Sequence, residues 1–288
     1  MRSADPVPGD GPILFVRSGA LGDFCLTLPV LAALCDTGRR VDVVCEPRFG
    51  ALAQRLLGGR IHSLFDSGGL ASLWMFGGVD PVGYATAIAY SEGYAEGLRA
   101  AGVPEVRSVA SRPPESVMAA DHYCSVWPCD PGWQVGCGPD SGSGSGNGAE
   151  RGCESGPIVI APGSASARKV WPMERWRAVA AALQDATAAN GAARDVRWVG
   201  GPQEPWASDR PDLDGLATLA ASCAVWLGAD SGPGHLAARM GAPVGVVGHP
   251  FSRPWVPRGG QFFDWDAAPD AIAAWVIGAW TRIGATRR

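Results

Sequence analysis

Short apolar runs alternate along this 288-residue chain with longer segments in which apolar residues recur at helical spacing. A continuous apolar run of strand length is typical of a strand buried on both faces of a parallel sheet. The alternation therefore predicts an α/β protein with right-handed crossovers between parallel strands. Strands are predicted at residues 13–16, 41–45, 61–64, 106–109, 158–160, 196–199, 225–227 and 244–247, and helices at 24–34, 172–183, 216–222 and 268–283.

A change in composition divides this pattern into two halves. Residues 139–156 are rich in glycine and serine and have almost no apolar side chain, which is typical of a flexible linker or loop. The glycines within 66–100 break every periodic pattern, so no element is assigned there. We predict a Rossmann-like domain over 1–138 with a frayed leader, then the linker, a second Rossmann-like domain over 157–267, and a C-terminal helix over 268–288.

The run from 226 to 241 joins an apolar strand to a helix through a turn of small residues. Asp230 or Ser231 is placed to cap the helix, and Pro233 suits its first turn. Unpaired backbone amides and the positive end of the helix dipole would converge there, where Gly232 lets a phosphate approach closely. An ordinary strand-turn-helix joint is the alternative, because glycine-rich turns are common in α/β proteins.

A second glycine turn, R-S-G-A-L-G-D at 17–23, follows the first predicted strand. Its glycines do not form the G-x-G-x-x-G pattern, and Asp23 would place a negative charge where a pyrophosphate should lie. Dinucleotide binding at this turn is therefore not expected. Pro29 would interrupt a hydrogen bond of the helix that follows, which predicts a kink or a late helix start.

Charge and hydropathy exclude two classes of function. The net charge of −4 gives no basic surface for a nucleic acid, so no nucleic-acid partner is expected. No basic segment precedes an apolar core at the N-terminus, and the longest apolar run, near 271–280, is too short to span a bilayer. We therefore expect a cytoplasmic protein without a transmembrane segment.

The eight cysteines form no C-x-x-C pair and no Cys/His spacing of a zinc finger. Four lie in apolar periodic segments, where a cysteine behaves as a small buried hydrophobe: Cys25, Cys35, Cys45 and Cys223. The other four lie in a loop-rich region, and their irregular spacing argues against the alternative of a metal site or disulfides: Cys124, Cys129, Cys137 and Cys153.

Four motifs in this order closely resemble glycosyltransferase family 9, whose members include the ADP-heptose:lipopolysaccharide heptosyltransferases. The motifs are I-L-F-V-R-S-G-A-L-G-D-F-C-L-T-L-P-V-L from 13, A-P-G-S-A-S-A-R-K-V-W-P-M-E-R-W at 161–176, W-V-G-G-P-Q-E at 198–204 and G-A-D-S-G-P-G-H-L-A-A-R-M-G-A-P at 228–243. Their order and spacing across two halves make the combination specific. The resemblance does not cover residues 66–157.

The resemblance implies a GT-B fold, in which two Rossmann-like domains with parallel sheets face a central cleft. The N-terminal domain would bind the acceptor, and the C-terminal domain would bind the nucleotide-sugar. Asp23 matches the catalytic base of the family, with helix capping as the alternative interpretation. Lys169, the only lysine in the chain, matches the lysine beside the donor phosphates, with a solvated surface lysine as the alternative.

Other residues match donor-binding and acceptor-side positions of the family. The donor-binding set is Ser164, Ala165, Lys169, Glu204, Asp230, Ser231, Gly232 and His235, and the acceptor-side set is Arg17, Gly19 and Gly22. Relatives often have a hydroxyl residue where this chain has Ala165, so one hydrogen bond to phosphate is either absent or supplied by Ser166. Glu204 would accept ribose hydroxyls, with a surface glutamate as the alternative.

One of the four histidines is a candidate for ligand binding, and the other three are interpreted as structural. His235 would reach phosphate or sugar from the first helical turn, although a lone histidine is more often structural. His62, His122 and His249 lack such a context and are interpreted as structural.

The resemblance implies an inverting glycosyltransferase that needs no metal and no cofactor, with ADP-heptose as its nucleotide-sugar donor and a glycolipid such as lipopolysaccharide inner core as its acceptor. A monomer in peripheral contact with the inner membrane is expected. Two alternatives stay open: a family member that uses another nucleotide-sugar on a natural-product or other glycan acceptor, and a catalytically weak homologue that binds a nucleotide.

Overall fold

The computed structural model describes residues 11–66, 83–135, 155–189 and 195–285. The chain divides into two compact units, Met1–Pro131 and Gly132–Arg288. Each unit contains one five-stranded sheet, and every pairing within the sheets is parallel. The α/β class predicted from the sequence is therefore confirmed.

The first unit has the strand order β3-β2-β1-β4-β5. Its elements are β1 (Ile13–Val16), α1 (Leu21–Asp36), β2 (Val41–Cys45), α2 (Pro47–Leu56), β3 (Ser63–Asp66), β4 (Thr86–Ala89), α3 (Glu92–Ala100), β5 (Glu105–Ser108) and α4 (Ala119–Cys124). All residues of β1, β2 and β4 are buried, as expected for central strands that are covered on both faces.

The second unit has the strand order β10-β9-β8-β6-β7. Its strands are β6 (Ile158–Ala161), β7 (Val196–Trp198), β8 (Val225–Ala229), β9 (Val244–Gly248) and β10 (Gln261–Asp264). Its helices are α5 (Met173–Ala189), α6 (Leu213–Ser222), α7 (Gly232–Arg239) and α8 (Pro269–Ala285), with 3₁₀ segments at Ala167–Lys169 and Pro250–Trp255. Helices α5 and α8 pack on this sheet and bury Trp176, Val179, Leu183, Ile272 and Val276.

Several elements differ from the sequence prediction. Strand β3 begins two residues later than predicted and β5 one residue earlier, and β4, β10, α2, α3 and α4 were not predicted. Helix α1 begins at Leu21 and continues through Pro29, so the late helix start was wrong. The four cysteines predicted to be buried are buried, and Cys124 is buried as well. Burial raises the pKa of the Cys35 thiol to about 11.

The predicted linker at 139–156 lies outside the described residues except for its last two positions, as do Cys137 and Cys153. Residues 133 and 135 belong to the second unit and bond to α7: Arg239 Nη1 donates to the Trp133 carbonyl at 2.9 Å, and the Val135 amide donates to the Arg239 carbonyl at 2.8 Å. The domain boundaries at 138 and 156 stay predictions. Within the described ranges, no helix is long and apolar enough to cross a membrane.

Candidate functional site

The second sheet has a topological switch between β6 and β8, which are neighbours although β7 lies between them in the sequence. In open α/β sheets such a switch leaves a crevice at the carboxyl ends of the two strands. Gly228 allows the strands to approach, since a Cβ there would lie 2.6 Å from the Ala161 carbonyl oxygen. The segments that leave these strands carry Ser164 and Asp230, so both residues border the crevice.

Helix α7 begins at this crevice. Ser231 is its N-cap residue and Pro233 lies in its first turn, as predicted. The predicted side-chain cap is absent: the Ser231 side chain makes no capping bond, and its buried Oγ has no hydrogen-bond partner among the described residues. The amides of Gly232 and Gly234 belong to the first turn, where no intrahelical acceptor exists. A hydroxyl, backbone amides and the positive helix end are therefore available to an anion.

Asp230 brings four predicted site residues together. Its side chain is only 5% exposed, and its Oδ2 lies 2.8 Å from Lys169 Nζ. Its Oδ1 lies 3.8 Å from His235 Nε2, and its backbone carbonyl accepts a hydrogen bond from Ser164 Oγ at 3.1 Å. Two chain segments, the one after β6 and the one after β8, thus meet at Asp230, and Lys169 and His235 face its buried carboxylate.

The charge of Asp230 is maintained by its neighbours. Burial raises the pKa of this carboxyl, but His235 and Lys169 together outweigh burial and hold the pKa below its usual value. Asp230 is therefore ionised at neutral pH and fixes the Lys169 ammonium at the crevice. Lys169 keeps 29% of its side chain exposed, so a ligand can reach it.

Glu204 lies in the turn after β7 and is half-buried. Its Oε2 accepts the Gly201 amide at 2.5 Å. A Cβ at Gly163 would lie 2.2 Å from Oε1, and a Cβ at Gly200 would lie 2.7 Å from Oε2. Only glycine at these two positions allows the carboxylate to lie against the turn after β6, beside Ser164.

Ala165, and Ser166 as its possible substitute, contribute less. Ala165 is exposed and has no polar side-chain atom. Ser166 precedes the 3₁₀ segment Ala167–Lys169 and makes no side-chain cap, while its carbonyl accepts the Lys169 amide at 2.9 Å. This short turn places Lys169 over the crevice.

In the first unit the predicted residues share the turn between β1 and α1. Asp23 lies in the first turn of α1 and its Oδ2 accepts the Ala20 amide at 3.2 Å, so it does cap its helix. Gly19 has φ +126°, and a Cβ there would lie 3.0 Å from Asp23 Oδ2. A side chain at position 19 would therefore be strained and would displace the carboxylate. Gly22 is buried in the same turn.

Arg17 lies beneath Asp23 and is only 4% exposed. Its Nη2 is 3.1 Å from Asp23 Oδ1, and its guanidinium carbon is 5.3 Å and 4.9 Å from the ring centres of Tyr90 and Tyr123. The guanidinium is thus held between a carboxylate and two aromatic rings. The acceptor-side role predicted for Arg17 stays a prediction, since these contacts link it to Asp23.

Sequence reasoning missed both tyrosines. The Tyr123 hydroxyl donates to the Ser111 carbonyl at 2.7 Å and lies 3.5 Å from Asp23 Oδ1. Burial raises the pKa of Tyr123 to about 12, so the hydroxyl stays protonated. Tyr90 follows β4, a strand that was not predicted because glycines interrupt the hydrophobic pattern within 66–100. Tyr123 lies in none of the sequence motifs.

No family model and no curated protein matches this chain. Solved structures do match it, among them the following three. A family 9 glycosyl transferase from Veillonella parvula has a TM-score of 0.64 at 16% identity, covering 94% of this chain and 97% of its own. The ADP-heptose lipopolysaccharide heptosyltransferase II of E. coli has a TM-score of 0.63 at 16% identity, covering 94% and 99%. E. coli heptosyltransferase WaaC with ADP has a TM-score of 0.61 at 14% identity, covering 93% and 99%.

Similarity at such low identity is a similarity of fold. The chain has the two-sheet α/β fold of the family 9 glycosyltransferases. The fold class predicted from the sequence and the resemblance to this family are confirmed at that level.

Proposed function

We propose that this chain, which shares its fold with the family 9 glycosyltransferases, transfers a heptose or a related sugar from an ADP-sugar to a glycolipid such as lipopolysaccharide inner core. One observation carries the proposal. At the carboxyl edge of the second sheet, a buried carboxylate holds the only lysine of the chain beside an uncapped helix N-terminus. Such an arrangement of fixed positive charge suits a departing diphosphate.

The transfer needs a base and a stabilised leaving group. Asp23 takes the proton of the acceptor hydroxyl as the oxygen attacks the anomeric carbon, and the bond from that carbon to the diphosphate oxygen breaks. ADP leaves with the electron pair, and Lys169 and the first amides of α7 stabilise its charge. Attack on the face opposite the leaving group inverts the anomeric configuration. Glu204 binds the ribose, and His235 and Ser231 bind phosphate or sugar.

The proposal includes no metal ion and no cofactor, because Lys169 and the helix N-terminus supply the positive charge that a divalent ion would otherwise provide. In the described part of the chain, no three His, Cys, Asp or Glu side chains cluster as a metal site. Similar solved structures support the choice of donor, since one is E. coli heptosyltransferase WaaC with ADP and another is WaaC with ADP-2-deoxy-2-fluoro heptose. A cytoplasmic monomer that touches the membrane at its periphery completes the proposal.

A single lysine allows a direct test of the donor site. Reductive methylation with ¹³C-formaldehyde labels Lys169 and the α-amino group, and dimethyl-lysine keeps its positive charge. ADP is expected to shift the Lys169 methyl resonance, because diphosphate oxygens approach the ammonium, and to leave the α-amino resonance in place. UDP and GDP at the same concentration should shift it less. Lys169→Arg removes the resonance and so assigns it.

Transfer itself is measured by mass spectrometry with ADP-heptose and a lipopolysaccharide acceptor. Binding of UDP-sugars alone would contradict the heptosyl donor. The absence of any shift with all three nucleotides would contradict the nucleotide-sugar site.

A further inference from the structure

Aromatic residues lie where β9 and β10 end. The two strands are parallel neighbours with Gly248 opposite Asp264, so the next residues, His249 and Trp265, lie side by side. Their rings stack with centroids 3.9 Å apart and planes 8° apart. Phe251 extends the stack, with its ring 5.5 Å from that of His249 at 28°. We call Phe251, His249 and Trp265 the ring stack.

The outer ring of the stack is exposed. Phe251 is 46% exposed, and among the described residues Val170, at 37%, is the only other large apolar side chain classed as exposed. Both border the pair Arg168 and Lys169: Val170 follows them in the chain, and the Arg168 guanidinium carbon lies 5.4 Å from the Phe251 ring centre. An exposed aromatic ring beside a cation is a common ligand-binding surface.

The backbone beneath the stack is firmly held. The Trp265 carbonyl accepts hydrogen bonds from Trp171 Nε1 and from Arg175 Nη1, each at 2.7 Å. Arg175 also donates to the carbonyls of Asp266 at 3.2 Å and Ala267 at 2.9 Å. Trp171 itself is fully buried. Trp265, the inner residue of the ring stack, therefore has a fixed position, which reduces the conformational entropy lost when a ligand binds.

The order of strands along the carboxyl edge gives the stack its place in the site. Glu204 follows β7, Ser164 follows β6, Asp230 follows β8, and the ring stack follows β9 and β10. The uncapped N-terminus of α7 lies between the Glu204 side and the ring-stack side. A nucleotide-sugar with its ribose at Glu204 and its diphosphate at α7 therefore extends its sugar towards β9.

We propose that the ring stack, with Arg168, is the subsite for the sugar ring of the nucleotide-sugar donor. The inference rests on the proposed function and adds the residues that recognise the transferred sugar. C–H groups of a pyranose contact the exposed part of the Phe251 ring, and Arg168 donates hydrogen bonds to sugar hydroxyls. Arg168 lies within the motif at 161–176, but the motifs do not mark the three rings, and His249 was interpreted as structural.

The test compares two ligands that differ only in the sugar. Dissociation constants for ADP and ADP-heptose are measured by calorimetry on the full chain and on Phe251→Ala. Loss of one aromatic contact is expected to weaken ADP-heptose about 5- to 30-fold and ADP less than about twofold. Phe251→Tyr keeps a ring and should retain the affinity for ADP-heptose. Val170→Ala, on the same edge but outside the stack, is the matched control and should change neither constant.

Each other outcome has a distinct meaning. Unchanged binding of ADP-heptose by Phe251→Ala overturns the subsite and leaves the proposed function standing. An equal loss for ADP and ADP-heptose also overturns it, because the ring would then contact the nucleotide. A loss confined to the KM of the acceptor overturns the donor assignment. A wild-type chain that binds neither ligand overturns the proposed function itself.

Discussion

Each sheet carries an ion pair at its carboxyl edge, and the two pairs expose opposite partners. In the first unit the cation is buried, with Arg17 4% and Asp23 29% exposed. In the second unit the carboxylate is buried, with Asp230 5% and Lys169 29% exposed. The first unit therefore presents a carboxylate held by a buried arginine, and the second presents an ammonium held by a buried aspartate. A carboxylate suits proton removal, and an ammonium suits stabilisation of a leaving anion.

The helices that begin at these pairs differ in the same sense. Helix α1 has an acidic residue in its first turn, and Asp23 accepts one of its free amides. Helix α7 has no acidic residue in its first turn and no side-chain cap. Both follow a buried strand through a short turn, so the strand-turn-helix pattern alone does not make an anion site. The charge within the first turn decides whether the helix N-terminus is already neutralised.

The largest effect is expected at the exposed carboxylate. Asp23→Asn keeps the size and the capping oxygen but removes the base, so kcat for transfer should fall about 10²- to 10⁴-fold. The dissociation constant for ADP-heptose should stay within about twofold, because the donor residues belong to the second unit. Steady-state kinetics and calorimetry measure the two quantities. A large loss of donor affinity with little loss of kcat would make Asp23 a structural cap only.

A smaller effect on kcat is expected at Arg17, the buried arginine beneath Asp23. Arg17→Gln leaves the carboxylate without its cation, and we expect kcat to fall about 10- to 100-fold as Asp23 loses its fixed position. Arg17→Lys keeps a charge and should retain more activity. In the Asp23→Asn background, Arg17→Gln should lower kcat no further, because both changes act through one group.

The matched control for Arg17 is Arg40→Gln. Arg40 pairs with the buried Asp42 at 2.9 Å near the amino end of β2, away from the glycine turn. Its loss should lower the melting temperature without changing kcat. Additive losses in the Arg17 and Asp23 double variant would instead support the acceptor-side role of Arg17 predicted from the sequence.

The comparison also shows what the sequence could predict. Strands β1, β2, β8 and β9 are buried throughout, so each carries a readable apolar run. Strand β10 is an edge strand with the sequence Q-F-F-D, and its polar first and last residues leave no apolar run from which a strand could be predicted. Asp23 and Lys169 follow from motifs in contiguous sequence. The sequence does not predict that the arginine is buried in one ion pair and the aspartate in the other. Burial of Arg17 depends on Tyr90 and Tyr123, which come from distant elements.

The smallest effect concerns stability and its pH dependence. Asp230 has a pKa below its ordinary value of 3.8 in the folded chain, so folding favours its ionised form. Its contribution is therefore fully present above pH 3.8 and is lost as the pH falls through the lower folded pKa. Asp230→Asn should lower the free energy of unfolding by about 1–3 kcal/mol at pH 7, the range for a charged hydrogen bond. Because a protonated aspartate resembles asparagine, the difference from wild type should shrink below pH 3.8. Urea unfolding across this range measures it, and a difference that stays constant down to pH 2 would show that the Lys169 ion pair does not stabilise the fold.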